Sequence, residues 1–421
     1  MPQYLSPGVY VEEVPSAIKA IAGVSTSTPG FIGVVPNKVH LVAKDPEGAT
    51  PTTTKFVDFN LPTPAKTPKL ITNWGQFTKA FGDLAGDPAA AKTTDATPAV
   101  DDGQRRLAHA VYGFFNNGGS RCYVVRITST TDIDDAIKAF APIDEIALVL
   151  APGITDDAIR DKLVTHCFKT GDRFAILDGP ATATDLTTLT RTSAETPTGG
   201  VQPKRTDLAA WYFPWIRVFD PATKLQDPAG DGSLAVPPSG HIAGIYARVD
   251  DLRGVHKAPA NEAILGALDV TQPISKADQD GLNPEGVNCI RVLNGNIYLW
   301  GARTAGGDAN ADLKYINVRR TLLFLRESID EGTQWVVFEP NEPGLWQKIT
   351  RNVTAFLTNV WRSGALFGTT PQEAFYVKCD AETNPPELRE LGQVVTEIGV
   401  AIVRPAEFVI FRISQFTAAG K

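Results

Sequence analysis

Between residues 121 and 177 the chain changes its hydrophobic period four times, and no other feature restricts its fold as much. Residues 121–128 (RCYVVRIT) form a β-prone run. Residues 132–140 then take helical spacing. Residues 146–150 (IALVL) are short and wholly apolar, as a strand buried on both faces requires. Residues 156–168 set Ile159, Leu163 and Cys167 on one helical face, and 174–177 (FAIL) close the series with another buried strand. The order β-α-β-α-β implies a mostly parallel sheet with helices packed on it, because a parallel return needs a crossover.

The flanking sequence carries the same texture. Residues 31–35 read as the first core strand. Leu107, Val111, Phe114 and Phe115 have helical spacing, and Asn116-Asn117-Gly118-Gly119 stops that helix. In the second half, 319–329 read as a helix preceding a strand at 335–338. The clearest helix spans 344–361, where Leu345, Ile349, Val353, Phe356 and Val360 make one apolar stripe ended by Ser363-Gly364. Residues 375–378 read as a strand, and 407–416 as a β-prone run apolar on both faces. Four breaker-rich stretches, 36–68, 83–103, 182–203 and 221–238, are expected at the surface, with 56–59 able to form a strand. The first 30 residues read as an arm, in which Ser6-Pro7-Gly8 turns into the short β-prone run Val9, Tyr10, Val11. No repeat of 20 to 50 residues is visible.

Composition and motifs exclude several function classes. The 421 residues carry 40 Lys and Arg against 47 Asp and Glu, a net charge of −7. Phosphate binding leans on clustered positive charge, so nucleic acid is not expected as a partner. No apolar run approaches the ~18 residues of a membrane-spanning helix, and the first residues show no secretion signal. Membrane insertion is therefore not expected. Cys122, Cys167, Cys289 and Cys379 lie far apart and among apolar neighbours, which suits reduced core residues of a cytoplasmic product. There is no P-loop, GxGxxG, HExxH, GxSxG or EF-hand loop, and the five histidines show no catalytic spacing. His109 reads as a surface or satisfied core histidine. Asp156 and Asp157 read as first-turn helix acids rather than cation ligands. The Asn352-Val353-Thr354 sequon falls on the striped helix and is set aside. No cofactor, metal or catalytic residue is assigned.

The stretch 241–261 is the densest in polar chemistry, with Arg248, Asp250, Asp251, Arg253, His256, Lys257 and Asn261. One reading is a ligand-binding loop. The other is a polar network, of Arg248, Asp250, Arg253, His256, Lys257 and Asn261, that pins a loop or a subunit contact.

Several blocks, taken together and in order, form a distinctive series. They begin with SPGVYVEEV (6–14), GVSTS (23–27), GFFNNGGSRCYVVRI (113–127), DRFAILDGP (172–180) and YFPWIRVFDP (212–221). They continue with VPPSGHIAGIYARVD (236–250), RGVHKAPAN (253–261), LWGART (299–304) and YINVRR (315–320). WVVFEPNEPGLW (335–346), WRSGALFGTTPQEAFYVKCD (361–380) and VRPAEFVIFRISQ (403–415) complete the series. In this order they resemble contractile tail sheath proteins, both phage tail sheaths and those of extracellular contractile injection systems, and the resemblance runs nearly the full length outside the four breaker-rich stretches. It departs at 381–388, where this chain reads Glu-Thr-Asn-Pro-Pro-Glu at 382–387.

The resemblance implies an α/β fold with α+β elements: a discontinuous sheath core of mixed sheets and flanking helices, with surface insertions and extended N- and C-terminal β arms. The segments expected are an arm at 1–30, the N-terminal part of the core at 31–205 with insertions near 36–68, 83–103 and 182–203, a C-terminal sheath domain at 206–400, and a strand or arm at 401–421. It also implies a structural subunit that polymerises helically around an inner tube and contracts to drive the tube through a target envelope. Its partners would be its own copies, the inner tube, the baseplate and tail-terminating cap proteins. Its location would be the cytoplasm of the producing bacterium and then the assembled particle. Arms of such subunits pair with strands on neighbours, which needs main-chain hydrogen bonds and little side-chain specificity. Val9, Tyr10 and Val11 are the N-terminal donor expected here, and Phe408, Ile410, Phe411, Ile413 and Phe416 the C-terminal one. A helix of the C-terminal half should face the tube, and 344–361 and 387–398 are both candidates. The competing class is an α/β enzyme with a ligand site at the strand carboxyl ends near 150–153 and 178–179.

Overall fold

The computed structural model describes residues 20–43, 55–87, 90, 98–190 and 202–413. The chain divides into two units, Val24–Arg326 with Ile402–Lys421, and Met1–Gly23 with Glu327–Ala401. In the first unit the elements are β1 (Pro29–Val34), β2 (Lys38–Val42), β3 (Phe56–Asn60), β4 (Lys69–Ile71), α1 (Trp74–Phe81), α2 (Asp102–Asn116) and β5 (Cys122–Ile127). The chain continues through α3 (Ile133–Phe140), β6 (Leu148–Leu150), α4 (Asp157–Thr170), β7 (Phe174–Asp178), β8 (Ala209–Phe213) and β9 (Ile216–Phe219). Next come α5 (Pro221–Gln226), β10 (Ser233–Val236), α6 (Ser239–Arg253), β11 (Glu262–Ala263), β12 (Ala267–Val270), α7 (Lys276–Leu282), β13 (Val287–Leu293) and β14 (Asn296–Leu299). Helix α8 (Ile316–Thr333) carries the division between the units within its length.

Among the described residues the main sheet has nine strands in the order β11-β14-β13-β8-β7-β6-β1-β5-β4. The six from β13 to β5 run parallel, and β4, β14 and β11 add antiparallel edges. The alternation at 121–177 is thus realised as β5-α3-β6-α4-β7. Residues 205 and 206, where a segment boundary is expected from the sequence, lie between β7 and β8, which pair in this one sheet.

Helices cover both faces of the sheet. A Cβ on Gly30 would lie 2.8 Å from Phe140 of α3, and one on Gly33 would lie 2.6 Å from Leu107 of α2. Strand residues an odd number apart point to opposite faces, so α2 and α3 pack on opposite sides of β1, both too closely for a side chain there. Phe31 and Ile32 are fully buried, and Phe31 meets Phe114 of α2 edge-on at 5.8 Å. Burying each such side chain contributes about 1.5–3 kcal/mol. Asp156 caps α4 by accepting from Ile159 N at 3.1 Å, as first-turn acids should. The buried Arg173 donates to the carbonyls of Phe140 (2.9 Å) and Ile143 (2.8 Å), closing the end of α3. The four cysteines are buried free thiols, and burial pushes those of Cys167 and Cys289 up to about 12.

Two stretches expected as surface loops are more ordered than their composition suggests. In 36–68, β2 and β3 pair antiparallel over five residues, and Val39 and Val57 join the main core. Buried Arg126 holds this segment by donating to Thr63 O at 2.7 Å and Val35 O at 3.2 Å. In 221–238, Asp220 caps α5 ahead of Pro221, and β10 then pairs with β9. An Asp followed by Pro at the first helical position is a helix start, and that signal outweighs the lack of periodicity.

The second unit holds α9 (Pro343–Arg362), α10 (Pro371–Ala374), β15 (Phe375–Lys378), α11 (Pro386–Glu390) and β16 (Glu397–Val400). The stripe Leu345, Ile349, Val353, Phe356 and Val360 is buried throughout, as its spacing requires. β15 and β16 pair antiparallel, Phe375 with Val400 through Lys378 with Glu397. At the departure 382–387, buried Asn384 bridges the turn: its amide donates to Val395 O (3.0 Å) and its oxygen accepts from Val395 N (2.7 Å).

Three expected elements take other forms. Residues 335–338 are not a strand: Gln334–Val336 is a short 3-10 turn, and Phe338 is fully exposed with φ 69°. Among the described residues its β-prone side chains find no neighbouring strand to pack against, and β propensity expresses that packing. Residues 387–398 are not one helix, because Gly392 turns the chain out of α11 and into β16. Residues 407–413 form no strand within the chain.

Candidate assembly surfaces

Val9, Tyr10, Val11 and Phe416 lie outside the described residues. The rest of the C-terminal run is described. From Val403 to Glu407 exposure alternates, with Val403, Pro405 and Glu407 half-buried and Arg404 and Ala406 exposed. The alternation then stops. Phe408, Ile410, Phe411 and Ile413 are exposed at 70%, 77%, 85% and 95%. With Val409 at 68%, five large apolar side chains within six residues stand in water, the density expected of an interaction surface.

The second unit offers sheet edges. Among the described residues β15 and β16 form a sheet of two strands only, so each presents an outer edge. Tyr376 on β15 is 58% exposed. On α9 the face opposite the buried stripe carries Lys348, Arg351, Ala355, Asn359 and Arg362, all exposed, at spacings of three and four residues. That face is basic, and no acid interrupts it.

The polar stretch 241–261 directs its groups inward, apart from Asp251 and Arg253. Asp250, on the last turns of α6, accepts from both terminal nitrogens of Arg320 on α8 and from Thr26 Oγ1 at 2.6 Å. Arg248 donates to Asn117 O (3.2 Å) and Ala263 O (2.9 Å). Lys257 donates to Ala260 O (2.9 Å) and Glu262 (3.1 Å), and Asn261 N donates to Leu299 O (2.8 Å) with the residue at φ 59°. The carbonyl of His256 accepts from Asn317 at 2.7 Å, and burial, with Arg253 nearby, pulls the imidazole pKa down. Arg253 is exposed on the last turn of α6. Such bonds pin α6 and the loop after it to α2, β14 and α8.

The strand carboxyl ends hold structural bonds as well. Asp178 is buried at the end of β7 and accepts from Gly153 N (3.0 Å), Ser239 N (2.9 Å) and Ser239 Oγ (2.7 Å). Burial, opposed by those hydrogen bonds, pushes its carboxyl up to about 6. Gly179 N donates to Tyr212 O, and Gly179 O accepts from Trp215 Nε1, both at 2.8 Å. A cavity of about 660 Å³ lies outside β1, β5 and β6, lined by Asp101, Arg106, Gly153 and Asp156 among others. Asp101 and Asp156 are the caps of α2 and α4, so both helix N-termini are already met by a carboxylate where an anion would sit. His109 is likewise occupied, with Nε2 2.8 Å from Asp220. The fully buried Asp220 also takes Arg105 and the Thr223 amide.

Comparison with known proteins decides what these surfaces belong to. The family model for the phage tail sheath central domain matches residues 128–305, and that for the phage tail sheath C-terminal domain matches 308–416. The chain belongs to the phage tail sheath family. The tail sheath protein of Burkholderia phage BcepMu is 25% identical over 330 residues, 76% of this chain and 64% of that protein. The tail sheath protein of Vibrio phage KVP40 is 29% identical over 208 residues, 48% and 30% respectively. These matches therefore span between three tenths and two thirds of the curated relatives' length. Among solved structures, the PVC sheath complex of an extracellular contractile injection system in its contracted state is 26% identical, with 99% of each chain covered and a TM-score of 0.71. A chain of the 6-fold symmetrised anti-feeding prophage baseplate is also 26% identical, covering 98% of this chain and all of that one, with a TM-score of 0.68. Within this tail sheath chain, the basic face, the two-stranded sheet and the exposed run all fall in the C-terminal domain match.

Proposed function

We propose that this chain is the structural subunit of a contractile sheath. It polymerises helically around an inner tube on a baseplate, and the sheath shortens to drive the tube through a target cell envelope. The subunit is made in the cytoplasm of the producing bacterium and then becomes part of the assembled particle, where cap proteins also meet it. It is not an enzyme. Near-complete coverage of a contracted injection-system sheath supports this reading. The observation that carries it is the exposed run after Glu407, which a subunit working alone would not leave in water.

The two arms act as strand donors. The C-terminal run, and Val9 to Val11 at the other end, supply strands, and the outer edges of β15 and β16 on neighbouring copies receive them. Contacts of this head-to-tail kind build open helical stacks where the rotation between copies does not close. With 387–398 not a helix, α9 is the element that faces the tube, and its Lys348, Arg351 and Arg362 call for an acidic tube surface. Negative-stain microscopy of the expressed protein, alone and with tube and baseplate, tests the reading. Long hollow cylinders are expected, and a particle that stays monomeric under all these conditions would refute it.

A further inference from the structure

We propose that Glu407 is the positioning residue of the C-terminal arm: a clamp that fixes where the arm leaves the body and in which direction. The proposal rests on the strand-donor reading above. Each oxygen of the Glu407 carboxylate accepts two hydrogen bonds. Oε1 accepts from Arg303 Nε at 2.8 Å and Asn283 Nδ2 at 2.7 Å, and Oε2 accepts from Arg303 Nη2 and the Tyr315 hydroxyl, each at 2.9 Å. The Arg303 fork is the bidentate geometry that gives a carboxylate both strength and direction.

The clamp is built rather than incidental. Arg303 is 3% exposed and Glu407 20% exposed. Nη1 of Arg303 is steadied by Asn283 O (3.0 Å) and Asp308 (2.9 Å), and its backbone is locked by Asn288, whose side chain bonds Arg303 N (2.8 Å) and O (2.7 Å). Asn288 lies on β13, so the clamp is referred to the main sheet rather than to a loop. The chain before Glu407 is also held, since Val403 O accepts from Asn317 at 3.1 Å. Everything from Phe408 to Ile413 is exposed. The change from held to free chain therefore falls on one residue. A strand donor whose root is fixed searches a smaller volume and keeps its register, which lowers the ordering cost of binding.

The test reads chain mobility and assembly separately. A nitroxide is placed on Ala406→Cys or on Ile413→Cys of the full chain, kept dilute enough to remain unassembled. The native cysteines are buried and leave the label site-specific. We expect restricted motion at 406 and fast motion at 413. E407Q should speed the label at 406 several-fold without changing 413, and should lower polymer yield at least about tenfold at unchanged circular dichroism, on the scale of losing one charged bidentate contact. The double variant E407Q/R303M removes the buried charge left behind and decides the matter if E407Q alone unfolds. It should keep the fold and still fail to assemble. A label at 406 as mobile in the native chain as in E407Q overturns the clamp. So does normal polymer yield in both variants. If the native chain itself forms no polymer while the labels behave as expected, the strand-donor reading fails and the clamp stands as a structural root.

Discussion

Arg320 grips Asp250 through both carboxylate oxygens, at 2.9 and 2.6 Å, and neither side chain is more than 6% exposed. The guanidinium also donates to Thr26 O at 2.8 Å and lies 4.6 Å above the Tyr246 ring. One ion pair thus joins α6, α8 and the approach to β1.

Removing one partner strands the other's charge in the interior. Asp250→Ala should cost about 3–5 kcal/mol, measured from urea unfolding. The double change Asp250→Leu with Arg320→Met should recover most of that loss, because the desolvation cost of both ions disappears together. A single variant within about 0.5 kcal/mol of the native protein, the range of an ordinary surface change, would show that the pair does not bear on stability.

Asp178 and Asp220 should give opposite pH signatures. Asp178 is raised to about 6 from 3.8, so the folded state holds an extra proton across that window. Its contribution to stability falls as pH rises from about 4 to 6, and the cost, on the order of 3 kcal/mol, is complete above 6. The native advantage over Asp178→Asn should therefore shrink between pH 4 and 7. Burial opposes the Asp220 charge, but His109, Arg105 and Thr223 outweigh it and hold the carboxyl well below its usual range. Its stabilisation is present at neutral pH and is lost as pH falls below the ordinary carboxylate range. The native advantage over Asp220→Asn should thus shrink toward low pH. Parallel pH profiles for the two variants would contradict both assignments.

The two faces of α9 should separate folding from partner binding. Ile349→Ala, at a buried stripe position, should cost about 2–5 kcal/mol. Lys348→Glu with Arg351→Glu should leave stability within about 0.5 kcal/mol yet abolish capture of purified tube in sedimentation. Native capture should itself weaken as salt approaches about 1 M, where the screening length is about 3 Å. Undiminished capture by the charge-reversed protein would remove α9 from the tube interface.

The arms should be dispensable for the body and required for the polymer. Deleting residues 1–14 should leave a folded, soluble chain that forms no ordered cylinders. Phe408→Ser with Phe411→Ser should do the same, since both side chains are already exposed and their loss costs the body little. Cylinders of normal length from either variant would refute strand donation by that arm.

What was legible in the sequence was whatever a local pattern could carry. The runs at 121–177 and the stripe on α9 name their elements because burial imposes a period on residue type. The α5 start was equally local, in Asp220-Pro221, but breaker-rich neighbours masked it. The run at 335–338 misleads because a strand needs a partner, and residue preference is silent about partners. The clamps lie further out of reach. Arg320 meets Asp250 across 70 residues and Arg303 meets Glu407 across 104. The only hint of the second was a lone acid placed directly before an apolar run. Of the polar stretch at 241–261, the residues were visible in advance, but their inward direction was set by α6 packing against α2.

The position of β1 between β5 and β6 sets an order of synthesis. β1, the fifth of the six parallel strands counted from β13, is the first of them to be made and waits for both neighbours, and β13 arrives more than 250 residues later. At about 5–20 residues per second, translation of that span takes roughly 10–50 s, and long-range parallel pairing is slow in its own right. A nascent subunit thus spends that time with open sheet edges, the condition in which a sticky strand from a neighbour does most harm. Residues 408–413 follow every described strand, so the adhesive end of one chain emerges only after the edges it could wrongly join on its own body have all been made.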